Sequence, residues 1–306
     1  MRAIRVREVG LPEVLRLEDV GKPTPGPGEA LVAVDLAGVV FGDVIVRSGR
    51  FPFELPYTPG IEVGGQVVAV GRGTDESIVG QQVVATTVGN TGGYAEFARV
   101  TEIFPVPAGL PLAQALAVFQ AGYLAEGMLE VMGLTGGETV LITAAAGRVG
   151  SLLVQLAKAR GAKVIGAAGG PEKDAAVAGL GADVVVDYRK PDWFTGLRAD
   201  VVLDAIGGEL GKQALETCTG RFGIYGFTSG RWTESDSVLR PLHSLFTQPA
   251  EEQRALARKA LESAAAGKLV PLLAGTYPLA KAADAHAALE NRRTIGALSL
   301  SPAAGR

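Results

Sequence analysis

The most explicit chemistry in the sequence lies in Val140-Leu141-Ile142-Thr143-Ala144-Ala145-Ala146-Gly147-Arg148-Val149-Gly150. Residues 140–142 form a short apolar run of the kind buried in a parallel sheet. Residues 150–160, with Leu152, Leu153, Leu156 and Ala157 on one face, read as the following helix. Between them, Ala145-x-Gly147-x-x-Gly150 has the spacing of a dinucleotide fingerprint whose first glycine has become alanine. Such a turn serves phosphate binding: small residues let the backbone approach a pyrophosphate, and the helix N-terminus offers unpaired N–H groups to the anion. With 42 glycines among 306 residues, Gly-rich turns are common here. The spacing alone therefore leaves a purely structural turn open, and it is the strand–turn–helix setting that favours phosphate.

The end of the next strand separates the two nicotinamide cofactors. A carboxylate about twenty residues after the fingerprint would accept hydrogen bonds from a ribose 2′-hydroxyl. Here that place holds Ala167-Ala168-Gly169-Gly170, with Lys173 just beyond and Tyr188-Arg189 after the following strand. A lone lysine on a helix is commonly just solvated. Paired with the missing acid, Lys173 favours NADP(H), whose 2′-phosphate needs cations.

Metal chemistry has few donors to draw on. The chain holds one cysteine and two histidines, too few for a Cys/His zinc site. Cys218 has no disulfide partner and is expected to pack at a helix end. His286 sits in a helical pattern and reads as a packed or capping residue, His243 lies in a stretch read as irregular, and Glu62 reads as structural. A net charge of −3 argues against nucleic acid as a partner. No apolar run reaches the ~18 residues of a membrane span, and no signal segment is recognisable, so the expectation is a cytoplasmic protein with no membrane partner.

Two patterns must position these residues. The first hundred or so residues read as short strands separated by turns, including 2–9, 14–19, 29–39, 64–70, 81–87 and 94–98. After a helical stretch at 112–132, strands and helices alternate: strands at 140–142, 163–166, 183–186, 201–204 and 222–225, helices at 150–160, 175–180 and 210–217. Such alternation implies a parallel sheet covered on both faces. A helix at 251–266 follows, and residues 280–289 and 297–300 close the chain and are expected to return to the first domain.

In order along the chain, Gly10-Leu11-Pro12-Glu13-Val14-Leu15-Arg16, Pro25-Gly26-Pro27-Gly28-Glu29, Ala37-Gly38-Val39-Val40-Phe41-Gly42-Asp43, Arg47-Ser48-Gly49, Pro56-Tyr57-Thr58-Pro59-Gly60, the fingerprint, Gly181-Ala182-Asp183, Val202-Leu203-Asp204-Ala205-Ile206-Gly207-Gly208, Gly267-Lys268-Leu269 and Ala285-His286-Ala287-Ala288-Leu289-Glu290 share a family pattern. The sequence resembles the zinc-independent branch of the medium-chain dehydrogenase/reductase superfamily, in particular the zeta-crystallin-like NADPH:quinone oxidoreductases. The resemblance implies an α/β protein in which a GroES-like β-rich catalytic domain is joined to a Rossmann doubly wound parallel-sheet cofactor domain, with the active site in the cleft. The expected boundaries are 1–115 for the first part of the catalytic domain, 116–248 for the NADP-binding domain and 249–306 for the C-terminal return.

Carried over residue by residue, the resemblance implies that Ala146, Gly147, Arg148 and Val149 lie at the pyrophosphate turn. It implies Gly170, Lys173 and Tyr188 around the 2′-phosphate, Ile206, Phe227 and Thr228 along the cofactor toward the nicotinamide, and Arg292 reaching it from the returning segment. A homodimer is also implied. The departures fall around the chemistry: Val40 stands where the family usually has asparagine, Ile45 and Phe51 where it often has tyrosine, and Leu124 at a threonine position. With Phe41 these residues outline an apolar substrate pocket, and no catalytic side chain is assigned.

The expected activity is metal-free hydride transfer from NADPH to a small conjugated carbonyl compound, a quinone or an α,β-unsaturated ketone. A delocalised oxyanion needs no strong acid, and water or a backbone N–H can stabilise it. Two alternatives stay open. One is an NADPH-binding protein with weak or lost catalysis and a sensor or interaction role. The other is an enoyl reductase on CoA- or carrier-bound chains, although no basic run for a phosphopantetheine is evident.

Overall fold

The computed structural model describes residues 1–235 and 238–303. In chain order its first elements are β1 (Arg2–Arg5), β2 (Arg16–Asp19), β3 (Ala30–Val39), α1 (Phe41–Arg47), β4 (Glu62–Val70), β5 (Gln82–Thr87), β6 (Phe97–Pro105) and α2 (Leu112–Val131). The alternating series comprises β7 (Thr139–Ile142), α3 (Arg148–Ala159), β8 (Lys163–Ala168), α4 (Pro171–Gly179), β9 (Val184–Asp187), β10 (Ala199–Asp204), α5 (Gly208–Glu216), β11 (Cys218–Ile224) and β12 (Val238–Leu239). Then come α6 (Pro241–Phe246), α7 (Ala250–Ala265), β13 (Leu273–Pro278), α8 (Ala282–Glu290) and β14 (Ala297–Ser301). The chain divides into two compact units: residues 1–119 with the segment from Leu273 onward, and residues 120–272.

The second unit carries a parallel sheet in the order β12-β11-β10-β7-β8-β9. This is the doubly wound Rossmann order, reversing direction between β7 and β10. Its strands are continuous apolar runs because both faces are covered: Val140, Leu141 and Ile142 on β7 and Val201, Val202 and Leu203 on β10 are all buried. α3 buries Leu152, Leu153, Val154, Leu156 and Ala157.

Segment 249–272, expected to return to the first domain, belongs to the second unit instead. Its helix α7 buries the apolar residues Leu256, Ala257, Ala260, Leu261 and Ala264, and a buried charge adds to that packing. Glu126 on α2 is only 2% exposed and takes Arg160 at 2.7 Å and Lys259 of α7 at 3.0 Å. Gln155 on α3 also exchanges hydrogen bonds with the Val270 backbone at 2.9 and 2.8 Å. The return proper begins with β13. One local expectation also changes, since residues 241–246 around His243 form α6 rather than an irregular stretch; the segment at 41–47, which carried no reading from the sequence, is a helix although its Val/Ile content favours extended backbone.

In the first unit the order is β13-β14-β3-β4-β5-β6, and β6 pairs back onto β3, so β3 to β6 close on themselves. α1 starts where a buried carboxylate caps it. Asp43 Oδ2 accepts the Val40 N–H at 3.3 Å, while Oδ1 accepts the Gly60 N–H at 3.0 Å. Tyr94 donates its hydroxyl to Asp43 at 3.1 Å, and the same oxygen lies 3.0 Å from His286 Nε2. His286 is therefore packed inside the unit, edge-on to Tyr94, as its helical setting implied.

Burial raises Asp43 from 3.8 to about 6. Burial, with Arg47 nearby, lowers His286 from 6.5 to about 3. The linkage signs oppose each other. Asp43 contributes stability below the usual carboxylate range that is lost as pH rises through about 6. His286 contributes stability above about 6.5 that is lost as pH falls toward 3, because only the unfolded ring takes a proton there. Between about pH 4 and 6 each imposes a slope of ~1.4 kcal/mol per pH unit, in opposite directions. Relative to wild type, Asp43→Asn should gain stability as pH rises across this window and His286→Gln should lose it. Urea unfolding at several pH values checks this, and profiles parallel to wild type would refute it.

Candidate active site

The C-terminal ends of the parallel strands gather most of the residues singled out in the second unit. Gly147 is the N-cap of α3, Arg148 and Val149 begin the helix, and Ala146 is buried in the turn before it. The first turn of α3 carries neither a side-chain cap hydrogen bond nor an acidic residue, a setting in which a helix N-terminus suits an anion. Gly150 is required by close approach: a Cβ there would stand 2.3 Å from the Ala144 carbonyl oxygen. Ala144 itself adopts φ +51°, which tightens the turn.

Gly170 caps α4 with φ +107°, and Lys173 lies in that helix's first turn. Tyr188 follows β9, its ring stacked so closely that a Cβ on Gly169 would lie 2.8 Å from it. Ile206 is buried in the loop after β10. Phe227 and Thr228 follow β11 and are tied to that loop by Thr228 N–H to Ala205 O at 3.1 Å. Trp232 backs Phe227 with ring centroids 4.1 Å apart, and Arg240 lies 5.2 Å from the Trp232 ring centre.

The remaining candidates divide between the units. Leu124 is half-buried on α2 in the second. Val40, Phe41 and Ile45 occupy the start and one face of α1 in the first unit, and Phe51, 58% exposed, follows that helix. Arg292, also in the first unit, lies just past α8 with φ +55°. Arg47 at the end of α1 bonds Glu290 at the end of α8 at 2.6 Å, so these two segments are held together.

Two functional residues were not singled out from the sequence. Asp204, wholly buried at the end of β10, organises the whole edge. Its Oδ1 accepts the Thr143 hydroxyl at 2.7 Å and the Ile206 N–H at 3.0 Å; its Oδ2 accepts the Gly207 N–H and the Thr233 hydroxyl, both at 3.0 Å. Thr143 in turn accepts the Ala205 N–H at 2.9 Å on its hydroxyl and the Tyr225 hydroxyl at 2.9 Å on its carbonyl. A carboxylate closing an apolar strand was the available signal, since a buried charge demands donors.

The second is Asp187. The corner read as free of acid is not free of it. β9 pairs with β8 in a register that sets Asp187 beside Ala168, and its carboxylate accepts the Gly170 N–H. Arg189 grips the same carboxylate at 3.0 and 2.7 Å and holds it near 2.

A profile described as alcohol dehydrogenase GroES-like domain matches residues 26–108, and one described as zinc-binding dehydrogenase matches residues 180–298. The quinone oxidoreductase of Rattus norvegicus is 32% identical to this chain, over 94% of it and 93% of the rat protein. The chain belongs to the quinone oxidoreductase family. Like other members of the medium-chain dehydrogenase/reductase superfamily, it combines a GroES-like domain with a Rossmann sheet. The structure of Escherichia coli quinone oxidoreductase complexed with NADPH superposes with TM-score 0.92 at 29% identity, covering 99% of this chain and 100% of that one. A mycobacterial protein complexed with NADPH gives 0.90 at 33% identity, with coverage of 99% and 100%. This quinone oxidoreductase family member is an oxidoreductase. Among its described residues no group of three or more His, Cys, Asp or Glu side chains is placed to hold a metal ion, and no helix is long and apolar enough to cross a membrane.

Replacing Asp204 by alanine would strand two N–H groups and two hydroxyls, so unfolding free energy should fall by about 4 kcal/mol, roughly 1 kcal/mol for each stranded donor. Asp204→Asn, which keeps one carbonyl oxygen, should lose about half as much. Denaturant titration measures both, and a loss under ~1 kcal/mol for the alanine variant would contradict the role assigned to this carboxylate.

Proposed function

We propose that the chain is an NADPH-dependent reductase that passes hydride to a quinone or α,β-unsaturated carbonyl compound without a metal ion. The observation that carries this reading is the uncapped, acid-free N-terminus of α3 at Gly147, set at the switch point of the parallel sheet. It fits a pyrophosphate: the small residues Ala146, Gly147 and Gly150 leave the backbone open, and Arg148 begins the helix. Lys173, Tyr188 and Arg189 around Gly170 fit a phosphorylated ribose, and Ile206, Phe227 and Thr228 would hold the remainder. The NADPH complexes of the two superposed structures support the same choice of cofactor.

NADPH, when bound, supplies the hydride. The chain's own residues do the rest. The Asp204 knot fixes the turn at Thr143 and the loop at Ala205–Gly207 relative to each other, so the cofactor's binding groups are preorganised. Phe227, backed by Trp232, offers an aromatic wall. Val40, Phe41, Ile45 and Phe51 give apolar surface for a flat acceptor and carry no acid. The acceptor's oxygen then takes its proton from water, which a conjugated oxyanion tolerates.

The metal-free reading rests on donor supply: one cysteine and two histidines in the whole chain, with His286 buried against Tyr94. A homodimer in the cytoplasm, expected from the sequence, belongs to the same proposal. A second reading, an NADPH-binding protein with little turnover, is favoured by one feature: Val40, the N-cap of α1, offers no polar side chain where the family usually has asparagine.

The proposed enzyme should oxidise NADPH with a panel of quinones and enones at ordinary enzymatic rates, on the order of 1–1000 per second. Prior treatment with a chelator should leave those rates unchanged. Tight NADPH binding with no turnover on any acceptor would select the second reading, and loss of turnover on chelation would overturn the metal-free one.

A further inference from the structure

The corner formed by the ends of β8 and β9 has an unusual charge balance. Tyr188 and Arg189 lie over the Gly169–Gly170 turn, where Gly170 adopts φ +107°, a conformation that favours glycine, and a Cβ on Gly169 would stand 2.8 Å from the Tyr188 ring. The guanidinium, 57% exposed, faces outward where a phosphorylated ribose would be read. It is already engaged. Arg189 Nε lies 3.0 Å from Asp187 Oδ1 and Nη2 lies 2.7 Å from Oδ2, a bidentate pair, and the Arg189 N–H donates to the same Oδ1 at 3.0 Å. Asp187, whose side chain is only 9% exposed, also accepts the Gly170 N–H at the start of α4, so this helix N-terminus is filled by the protein's own anion. Asp174, in the first turn of α4, adds a second carboxylate that interacts with Asp187, Arg189 and Lys190.

A dianionic 2′-phosphate approaching this corner gains Arg189, Lys173 and Lys190 and is opposed by Asp187 and Asp174. An unphosphorylated ribose escapes that repulsion and forfeits little, because part of the guanidinium's attraction is already spent on Asp187. We propose that Asp187 is the specificity-determining residue of this corner, half-neutralising Arg189 so that the chain discriminates only weakly between NADPH and NADH. The proposal rests on the reading of the chain as a nicotinamide-dinucleotide enzyme and refines it.

Binding of adenosine 2′,5′-bisphosphate and adenosine 5′-monophosphate to the full chain by calorimetry tests it, with NADPH measured alongside. Wild type should prefer the bisphosphate by less than about tenfold, and Asp187→Asn, which keeps an acceptor for the Gly170 N–H but removes the charge, should raise that preference by roughly tenfold. Arg189→Gln should cost the bisphosphate about threefold in the wild-type background and about thirtyfold beside D187N, with the monophosphate barely affected in either. If D187N does not fold, the R189Q single variant decides, and a loss above ~thirtyfold there would overturn the proposal. An unchanged preference in D187N would overturn it while leaving the NADPH reading intact. Failure of wild type to bind NADPH would overturn that reading and the proposal with it.

Discussion

One buried carboxylate holds the binding edge of the Rossmann sheet together. Asp204 is wholly buried, where an ionised group is costly unless its lone pairs are answered. It is answered four times, by the Thr143 and Thr233 hydroxyls and by the Ile206 and Gly207 N–H groups. These donors come from the end of β7, from the loop after β10 and from the segment following β11. Satisfying one charge therefore ties three loops together in addition to the backbone bonds between them, and those loops carry the fingerprint turn, Ile206 and, through the Thr228 N–H, Phe227.

The same economy recurs elsewhere, with different consequences. Asp43 caps α1 and binds Gly60 and Tyr94, so the apolar face of Val40, Phe41 and Ile45 is positioned by an acid that never reaches it. Glu126 ties α7 to α2 through Lys259, beside the apolar face that α7 buries. Asp187 differs because its partner Arg189 remains half-exposed. There the pairing tunes recognition more than it stabilises the fold, since an exposed ion pair contributes on the order of 0–1 kcal/mol.

What the sequence made legible was local. The apolar run 140–142, the small residues of the fingerprint and the following amphipathic helix lie within about twenty residues, and each supports the same interpretation. The parallel alternation then requires the strand ends to converge on one edge, which is why Ala146, Gly147, Gly170, Tyr188, Ile206 and Phe227 share it. What stayed illegible depends on pairing between distant residues. Asp204 reads only as the polar end of an apolar strand until Thr143 and Thr233 are brought to it. The expectation of an acid-free corner came from the end of β8 and from Tyr188-Arg189, whereas the acid arrives from β9 through the register Ala168 to Asp187. α1 was missed because its helix depends on the Asp43 cap more than on propensity. The amphipathic stretch at 251–266 shows that it packs but not on which core.

The Asp204 knot preorganises the strand ends as a single dinucleotide cradle, which hydrogen–deuterium exchange of the full chain with and without NADPH can test. Before cofactor is added, the Ile206 and Gly207 amides should already exchange slowly, and NADPH should further protect segments 144–150, 169–173 and 226–229 together. Fast exchange at Ile206 and Gly207 in the free protein, or protection by NADPH confined to other segments, would contradict it.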